Sequence, residues 1–285
     1  MELQAIYQRY LECTTAVTDS RQVVADSMFF ALRGENFNGN IFAPQAIQAG
    51  ARYAVVDDPH QASNKQCILV HDVLQTLQQM AHLHRKKLQA QVVAITGSNG
   101  KTTTKELIHK VLSSQYTTLA TEKNYNNHIG VPLTLLRLSQ AYHFAVVEMG
   151  ANHPGEIKRL CELADPDMGL ITNIGKAHLE GFGSLEGVIR AKNELYEYVC
   201  NKGGTIFYNS SHPILVDLLK NKNCPLYDYG SSPKAYCHGT ISGRTPFLKI
   251  HSQGRDFETH LMGGYNFENV MAALCLAKYF AISKD

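Results

Sequence analysis

Val92-Val93-Ala94-Ile95-Thr96-Gly97-Ser98-Asn99-Gly100-Lys101-Thr102-Thr103-Thr104 decides the fold class of this 285-residue chain. The run 92–95 is apolar without interruption and reads as a strand buried on both faces. A glycine turn follows, and a helix opens near Lys101. Glycines let backbone N–H groups turn inward and approach an anion closely. The helix aims its positive N-terminal end at the same point. Lys101 adds a point charge for β and γ phosphates, and Thr102 a hydroxyl for Mg²⁺. The pattern is a shortened form of GxxxxGK[ST], with Ile95 at the first glycine position and Gly97 inside. A glycine turn with a surface lysine explains less than a phosphate cradle. Gly97, Ser98, Asn99, Gly100, Lys101, Thr102 and Thr103 are therefore the candidate ATP contacts.

Working outward, strands and helices alternate. Gln91–Thr96 precedes the helix Lys101–Ser113; a strand at 144–149 precedes a helix at 154–163, with Pro154 in its first turn. A strand at 168–174 precedes a helix at 185–199, and one at 205–208 precedes Pro213–Leu219. This alternation predicts a mostly parallel sheet covered on both faces. Residues 235–262 alternate apolar and polar instead, as in Phe247-Leu248-Lys249-Ile250, and read as an antiparallel extension. A last helix is expected at 266–280. Before residue 89 lies a smaller α/β unit: apolar runs at 28–32, 53–56 and 67–70, a helix at 43–49, and a helix from an Asp72 cap to about Leu88. The expected division is 1–88 and 89–285.

Bulk composition limits the function classes. With 27 basic and 25 acidic residues the formal charge is +2, which favours neither a nucleic-acid nor a membrane partner. No run of about 20 apolar residues occurs, and the polar N-terminus lacks the h-region of a signal peptide. Seven cysteines without a CxxC pair read as free thiols of a reducing cytosol.

Three further polar positions stand at strand ends or on a helix. Glu148 closes the strand at 144–149, on the edge where open α/β sheets bind ligands. It is an oxygen ligand able to face Thr102 across Mg²⁺. His178 follows the strand at 168–174, at the same edge. Lys192 shares a helix face with Val188, Leu195 and Val199. A lysine there either snorkels outward or is partly desolvated, which would lower its pKa.

Taken together, the motifs resemble the Mur ligase family of peptidoglycan synthesis along essentially the whole chain. Thr18-Asp19-Ser20-Arg21, Phe29-Phe30-Ala31-Leu32-Arg33-Gly34 and Gly50-Ala51-Arg52-Tyr53-Ala54 are similar to its UDP-binding domain. Asn126-Asn127-His128-Ile129-Gly130-Val131-Pro132, Glu148-Met149-Gly150-Ala151-Asn152-His153 and Ala191-Lys192-Asn193-Glu194-Leu195 are similar to its ATP-binding domain. The first two of these point to the member type that adds D-alanyl-D-alanine to UDP-N-acetylmuramoyl-tripeptide, not the type that adds the third amino acid.

The resemblance implies roles at matching positions. Lys101 would bind phosphate, and Thr102 with Glu148 would hold Mg²⁺. His178 and a carbamylated Lys192 would serve a second metal and catalysis. Asn266 would meet adenine, although the family usually has His where Tyr265 stands. Ser20 and Arg21 would bind the UDP substrate, and Asn126 and Asn127 would approach the reacting phosphate. A cytoplasmic location and a monomeric state are expected. Rival readings are another ligase of the superfamily, a P-loop kinase or ATPase, and a nucleotide-binding module without chemistry. The family carries a third domain after the last helix, whereas this sequence ends at Ile282-Ser283-Lys284-Asp285. The C-terminal ligase domain is thus expected to be absent, and these 285 residues alone to bind ligands without forming the peptide bond.

Overall fold

The computed structural model describes residues 2–175 and 179–282. They fall into two compact units, Met1–Leu88 with His128–Ser139, and Gln89–Asn127 with Gln140–Asp285.

The first unit holds α1 (Leu3–Tyr10), β1 (Ala16–Val17), β2 (Met28–Phe30), β3 (Arg33–Gly34), β4 (Phe37–Asn38), α2 (Ala43–Gln48), β5 (Tyr53–Val56), β6 (Cys67–Leu69) and α3 (Val73–Lys86). A parallel sheet runs β1-β2-β5-β6, and β3 and β4 form a separate antiparallel hairpin. The apolar runs of β2 and β5 supply the core, with Phe29, Ala54 and Val56 packed against Ala43 and Ala46 of α2. Asp72 caps α3 by accepting from the Gln75 N–H at 2.8 Å, and basic residues close its last turn.

Buried His84 of α3 ties this unit together. Its Nε2 lies 2.8 Å from the Leu138 carbonyl and its Nδ1 2.9 Å from the Tyr7 hydroxyl. A carbonyl only accepts, so Nε2 carries the proton and Nδ1 accepts from Tyr7. Burial holds the His84 pKa below 6.5, opposed by the Leu138 carbonyl. The folded state therefore resists protonation that the unfolded chain accepts. Stability from this group is complete above pH 6.5 and is lost as pH falls toward the folded-state pKa, by up to about 1.4 kcal/mol per pH unit. His84→Gln should flatten that acid limb in urea unfolding at pH 7.5 and 5.5; the same acid slope in the variant would overturn this assignment.

The second unit contains β7 (Gln91–Thr96), α4 (Lys101–Ser113), β8 (Thr118–Ala120), β9 (Phe144–Glu148), α6 (Glu156–Ala164), β10 (Met168–Ile171), α7 (Leu179–Phe182), α8 (Leu185–Asn201), β11 (Thr205–Asn209), α9 (Pro213–Leu219), β12 (Leu226–Gly230), β13 (Cys237–Gly243), β14 (Lys249–Ser252), β15 (Arg255–Glu258) and α10 (Phe267–Tyr279). The intervening α5 (Gly130–Leu136) belongs to the first unit. The strand order is β15-β14-β13-β12-β11-β10-β7-β9-β8. Strands β8 to β13 are parallel and β14 and β15 antiparallel, which is the α/β architecture with an extension that the patterning predicts.

Strand alternation sorts the two faces. Val93, Ile95, Val146 and Leu170 pack with Ile108 and Leu112 of α4 and with the apolar residues of α10. On the other face, a Cβ on Gly169 would meet Val199 and Leu195 of α8 at 3.2 and 3.4 Å. Central β7 thus delivers its C-terminal end between β9 and β10, with helices on both faces.

Three readings need correction. The strand at 168–174 ends at Ile171, and the next residues are spent on the loop of the site. Pro154 precedes its helix: Gly155 takes φ +85° as N-cap and α6 starts at Glu156. The seven cysteines are not all thiols. Cys200, in the last turn of α8, is disulfide-bonded to Cys224, with Cα atoms 5.1 Å apart, while Cys13, Cys67, Cys161, Cys237 and Cys275 are free. A separation of 24 residues hides such a pair from spacing rules.

Candidate functional site

The strand β7 ends in a loop that only glycines allow. Gly97 has φ +147°, and a Cβ there would sit 2.0 Å from the Thr172 hydroxyl. Gly100 has φ +76° at the N-cap of α4, and a Cβ would fall 2.6 Å from Asn269 Oδ1. Without a capping side chain at Gly100, the first-turn N–H groups of α4 are free to meet an anion.

The loop is held from β10. Ser98 N–H donates to the Asn173 carbonyl at 3.0 Å and Asn99 N–H to Asn173 Oδ1 at 3.0 Å. Thr172 Oγ1 donates to the Asn99 carbonyl at 2.6 Å. Ser98 Oγ accepts from Gly175 N–H at 3.0 Å. Residues 172–174, read as strand, are instead, with Gly175, the brace of the phosphate loop. Their polar side chains right after a buried strand were the available signal.

Lys101 Nζ donates to the Gly97 carbonyl at 2.8 Å and lies 3.4 Å from that of Ser98. Burial lowers its pKa, partly countered by the Glu148 carboxylate. Thr102 Oγ1 donates to Glu148 Oε2 at 2.9 Å, and Asn126 Nδ2 to Glu148 Oε1 at 2.8 Å. Glu148 is only 2% exposed. Thr102, Glu148 and Asn126, distant in sequence, therefore form one cluster at the loop. Thr103 is half-buried on the first turn, and Asn127 is exposed.

These residues fit a small hard cation. Thr102 and Glu148 present oxygen atoms only, as Mg²⁺ requires, and Mg²⁺ is commonly held by one or two carboxylates plus phosphate oxygens and water. Among the described residues no group of three His, Cys, Asp or Glu is placed to hold a metal. One carboxylate beside a phosphate cradle matches the magnesium pattern better than a transition-metal cage.

Beyond the phosphate loop, Asn266 is buried where a short 3₁₀ turn enters α10. Its Oδ1 accepts from Asn269 Nδ2 at 2.9 Å, and Asn269 Oδ1 accepts from Thr104 of α4 at 3.0 Å. This chain connects the adenine candidate to the phosphate helix. The i, i+3 spacing of the two asparagines on one helix was its signal. Tyr265 is 78% exposed beside it.

Lys192 does not snorkel. It is 2% exposed, its Nζ 5.7 Å from the centre of the Phe182 ring. Burial, and secondarily the positive charge of Lys101, push its pKa down to about 8, with Glu156 and Glu194 opposing. Glu194, given no role from sequence, accepts from the N–H groups of Gly155 and Lys158 at 2.7 and 2.8 Å and fixes α8 to the start of α6. His178, the other candidate for a second metal, lies outside the described residues.

Ser20 and Arg21 belong to the first unit. With Thr18, Asp19, Phe29, Phe37, Phe42 and Gln45 they line a cavity of about 550 Å³. Phe37 and Phe42 stack there, with centroids 5.6 Å apart. Arg21 pairs with Asp19 at 2.8 Å and holds that carboxyl near pKa 2.

Known proteins resemble the chain over most of its length. A family model for the Mur ligase middle domain matches residues 95–277, and one for the Mur ligase family catalytic domain matches residues 14–134. The UDP-N-acetylmuramoyl-tripeptide–D-alanyl-D-alanine ligase of Escherichia coli strain K12 is 44% identical over 274 residues, covering 94% of this chain and 60% of its own length. That of Bacillus subtilis strain 168 is 37% identical, covering 94% and 59%. The Acinetobacter baumannii MurF crystal structure superposes with TM-score 0.85 at 30% identity, covering 99% of this chain and 65% of that one. The chain spans about three fifths of the length of these curated relatives.

Proposed function

The chain belongs to the Mur ligase family, and from that premise we propose that it is part of the ATP-dependent ligase that joins D-alanyl-D-alanine to UDP-N-acetylmuramoyl-tripeptide. The single observation that carries this reading is the cluster of Lys101, Thr102, Glu148 and Asn126 around one glycine-built loop. The MurF of Thermotoga maritima, solved in complex with ADP, shares the fold at TM-score 0.82, which supports a nucleotide at this loop.

In the proposed reaction an oxygen of the tripeptide's terminal carboxylate attacks the γ-phosphorus of ATP. The bond to ADP breaks, and an acyl phosphate forms. The amine of D-alanyl-D-alanine attacks the acyl carbon, loses a proton and expels inorganic phosphate. Lys101 would exchange its carbonyl partners for phosphate oxygens. The α4 N-terminus would face the accumulating charge, the usual basis of phosphoryl-transfer catalysis. Mg²⁺, held by Thr102 and Glu148, would neutralise charge between phosphates. Asn126, fixed on Glu148, and Asn127 would border the transferring group. Asn266 would orient adenine. The aromatic cavity at Ser20 and Arg21 is proposed for the UDP moiety.

A desolvated Lys192 has more neutral amine than an exposed lysine, as carbamate formation with carbon dioxide requires. We therefore assign Lys192, carbamylated, and His178 to a second metal. Cytosolic ATP and UDP substrates make the cytoplasm the proposed location, with a monomer as the proposed state. The Cys200–Cys224 bond is the discordant feature there. Among the described residues no helix is long and apolar enough to cross a membrane.

The test is ADP release by the native protein. It should require UDP-N-acetylmuramoyl-tripeptide and D-alanyl-D-alanine together, and fall to background when either is omitted. Release indifferent to the dipeptide would identify a simple kinase or ATPase instead. Dependence on another amino acid would identify a different ligase of the family.

A further inference from the structure

Lys105 is a lysine with no place in the reaction just described, yet its side chain is only 1% exposed. Burying an ammonium is costly unless it is fully paired, and an apolar side chain of similar length would fill the same space without that cost. What the ammonium adds is direction. Its Nζ donates to the Thr121 carbonyl at 2.6 Å and pairs with Glu106 Oε1 at 2.7 Å.

Thr121 in turn connects three elements. Its N–H donates to the Val146 carbonyl at 3.0 Å, and its hydroxyl accepts the N–H of Glu148 at 3.0 Å. Thr102 lies three residues before Lys105 on α4, on the same side of the helix, and donates to Glu148 Oε2 at 2.9 Å. The contacts close into a ring: Thr102, one turn of α4, Lys105, Thr121, Glu148 and back to Thr102. This ring sets the separation of the two oxygens assigned to the cation.

We infer that Lys105 is a positioning residue for the divalent-cation site, holding Thr121, and through it Glu148, at the distance from Thr102 that a bound Mg²⁺ needs. The inference rests on the reading of Thr102 and Glu148 as Mg²⁺ ligands. Mg²⁺ demands near-ideal octahedral geometry with short oxygen distances, so small displacements of a ligand weaken it. A partner acting through a ligand typically matters by about tenfold to about 100-fold in metal affinity.

The experiment is calorimetric ADP binding across a Mg²⁺ series and in EDTA, with folding followed by circular dichroism. Lys105→Met should raise the Mg²⁺ half-saturation by about tenfold or more and leave ADP affinity in EDTA at the wild-type value. Thr121→Val, which removes only the hydroxyl on Glu148 N–H, should shift Mg²⁺ in the same direction. The double variant should be less than additive, because both act along one path. A wild-type Mg²⁺ half-saturation in folded Lys105→Met overturns the inference. So does equal weakening with and without Mg²⁺, the signature of a merely structural lysine. If Lys105→Met fails to fold, Thr121→Val decides alone, and an unchanged Mg²⁺ response overturns the inference. Wild-type ADP binding indifferent to Mg²⁺ would instead overturn the reading of the cation site, and this inference with it.

Discussion

Lys101→Ala should weaken Mg·ATP binding by at least about 100-fold, close to 3 kcal/mol, while the chain stays folded. Lys101 is the lysine placed inside the phosphate loop, bonded to the Gly97 and Ser98 carbonyls. Removing it takes away charge-assisted hydrogen bonds at a half-buried position, where they count for more than in water. The loop itself should survive, because Thr172, Asn173 and Gly175 hold it independently. Isothermal calorimetry measures the affinity and a thermal melt the fold. Unchanged affinity in a folded variant would mean that the nucleotide binds elsewhere.

Lys192→Ala should lower ligation by the native protein by about 100-fold to about 1,000-fold in kcat, the scale of losing one preorganised charge at a reacting phosphate. ADP affinity should change much less, since Lys192 is assigned to catalysis and not to the nucleotide cradle. The residue is buried with its pKa lowered to about 8 by desolvation and by Lys101. A carbamate there would act as a carboxylate. Formate or acetate should therefore restore part of the lost rate in the alanine variant, and ¹³C-labelled carbon dioxide should give a carbamate resonance that the variant lacks. A wild-type turnover number in Lys192→Ala would remove the residue from the mechanism.

How far the sequence discloses these groups depends on how local their signals are. The passage from β7 to α4 is legible because an apolar run, a glycine turn and a helix start are contiguous. Glu148 is legible because a carboxylate at the end of a buried strand stands out. Other elements leave weaker traces. The strand β12, Leu226-Tyr227-Asp228-Tyr229-Gly230, carries a charge and a glycine and looks like loop. The helix α5 opens on Gly130-Val131-Pro132, which reads as a break, although the first helical turn tolerates proline. Lys105 and Thr121 gain their meaning from pairings across the fold, and Cys200 and Cys224 from a contact between a helix end and a loop. Lys192 was undecided between snorkelling and burial, since helical spacing fixes a face but not what covers it.

The first unit is not a continuous stretch of chain, because residues 128–139 belong to it. That has a consequence for how the protein is made. Domains generally fold as they leave the ribosome, N-terminal first, but here the earliest part of the chain cannot finish on its own. Tyr10 donates to the Leu136 carbonyl, His84 to that of Leu138, and Gln78 to that of His128 at 2.9 Å. All three acceptors are synthesised after β7, the phosphate loop and α4. Translation must therefore carry the nucleotide loop out of the exit tunnel before the preceding unit is complete. A gene fragment cut between Leu88 and Gln89 would leave Tyr10, Gln78 and His84 without the carbonyls that satisfy them.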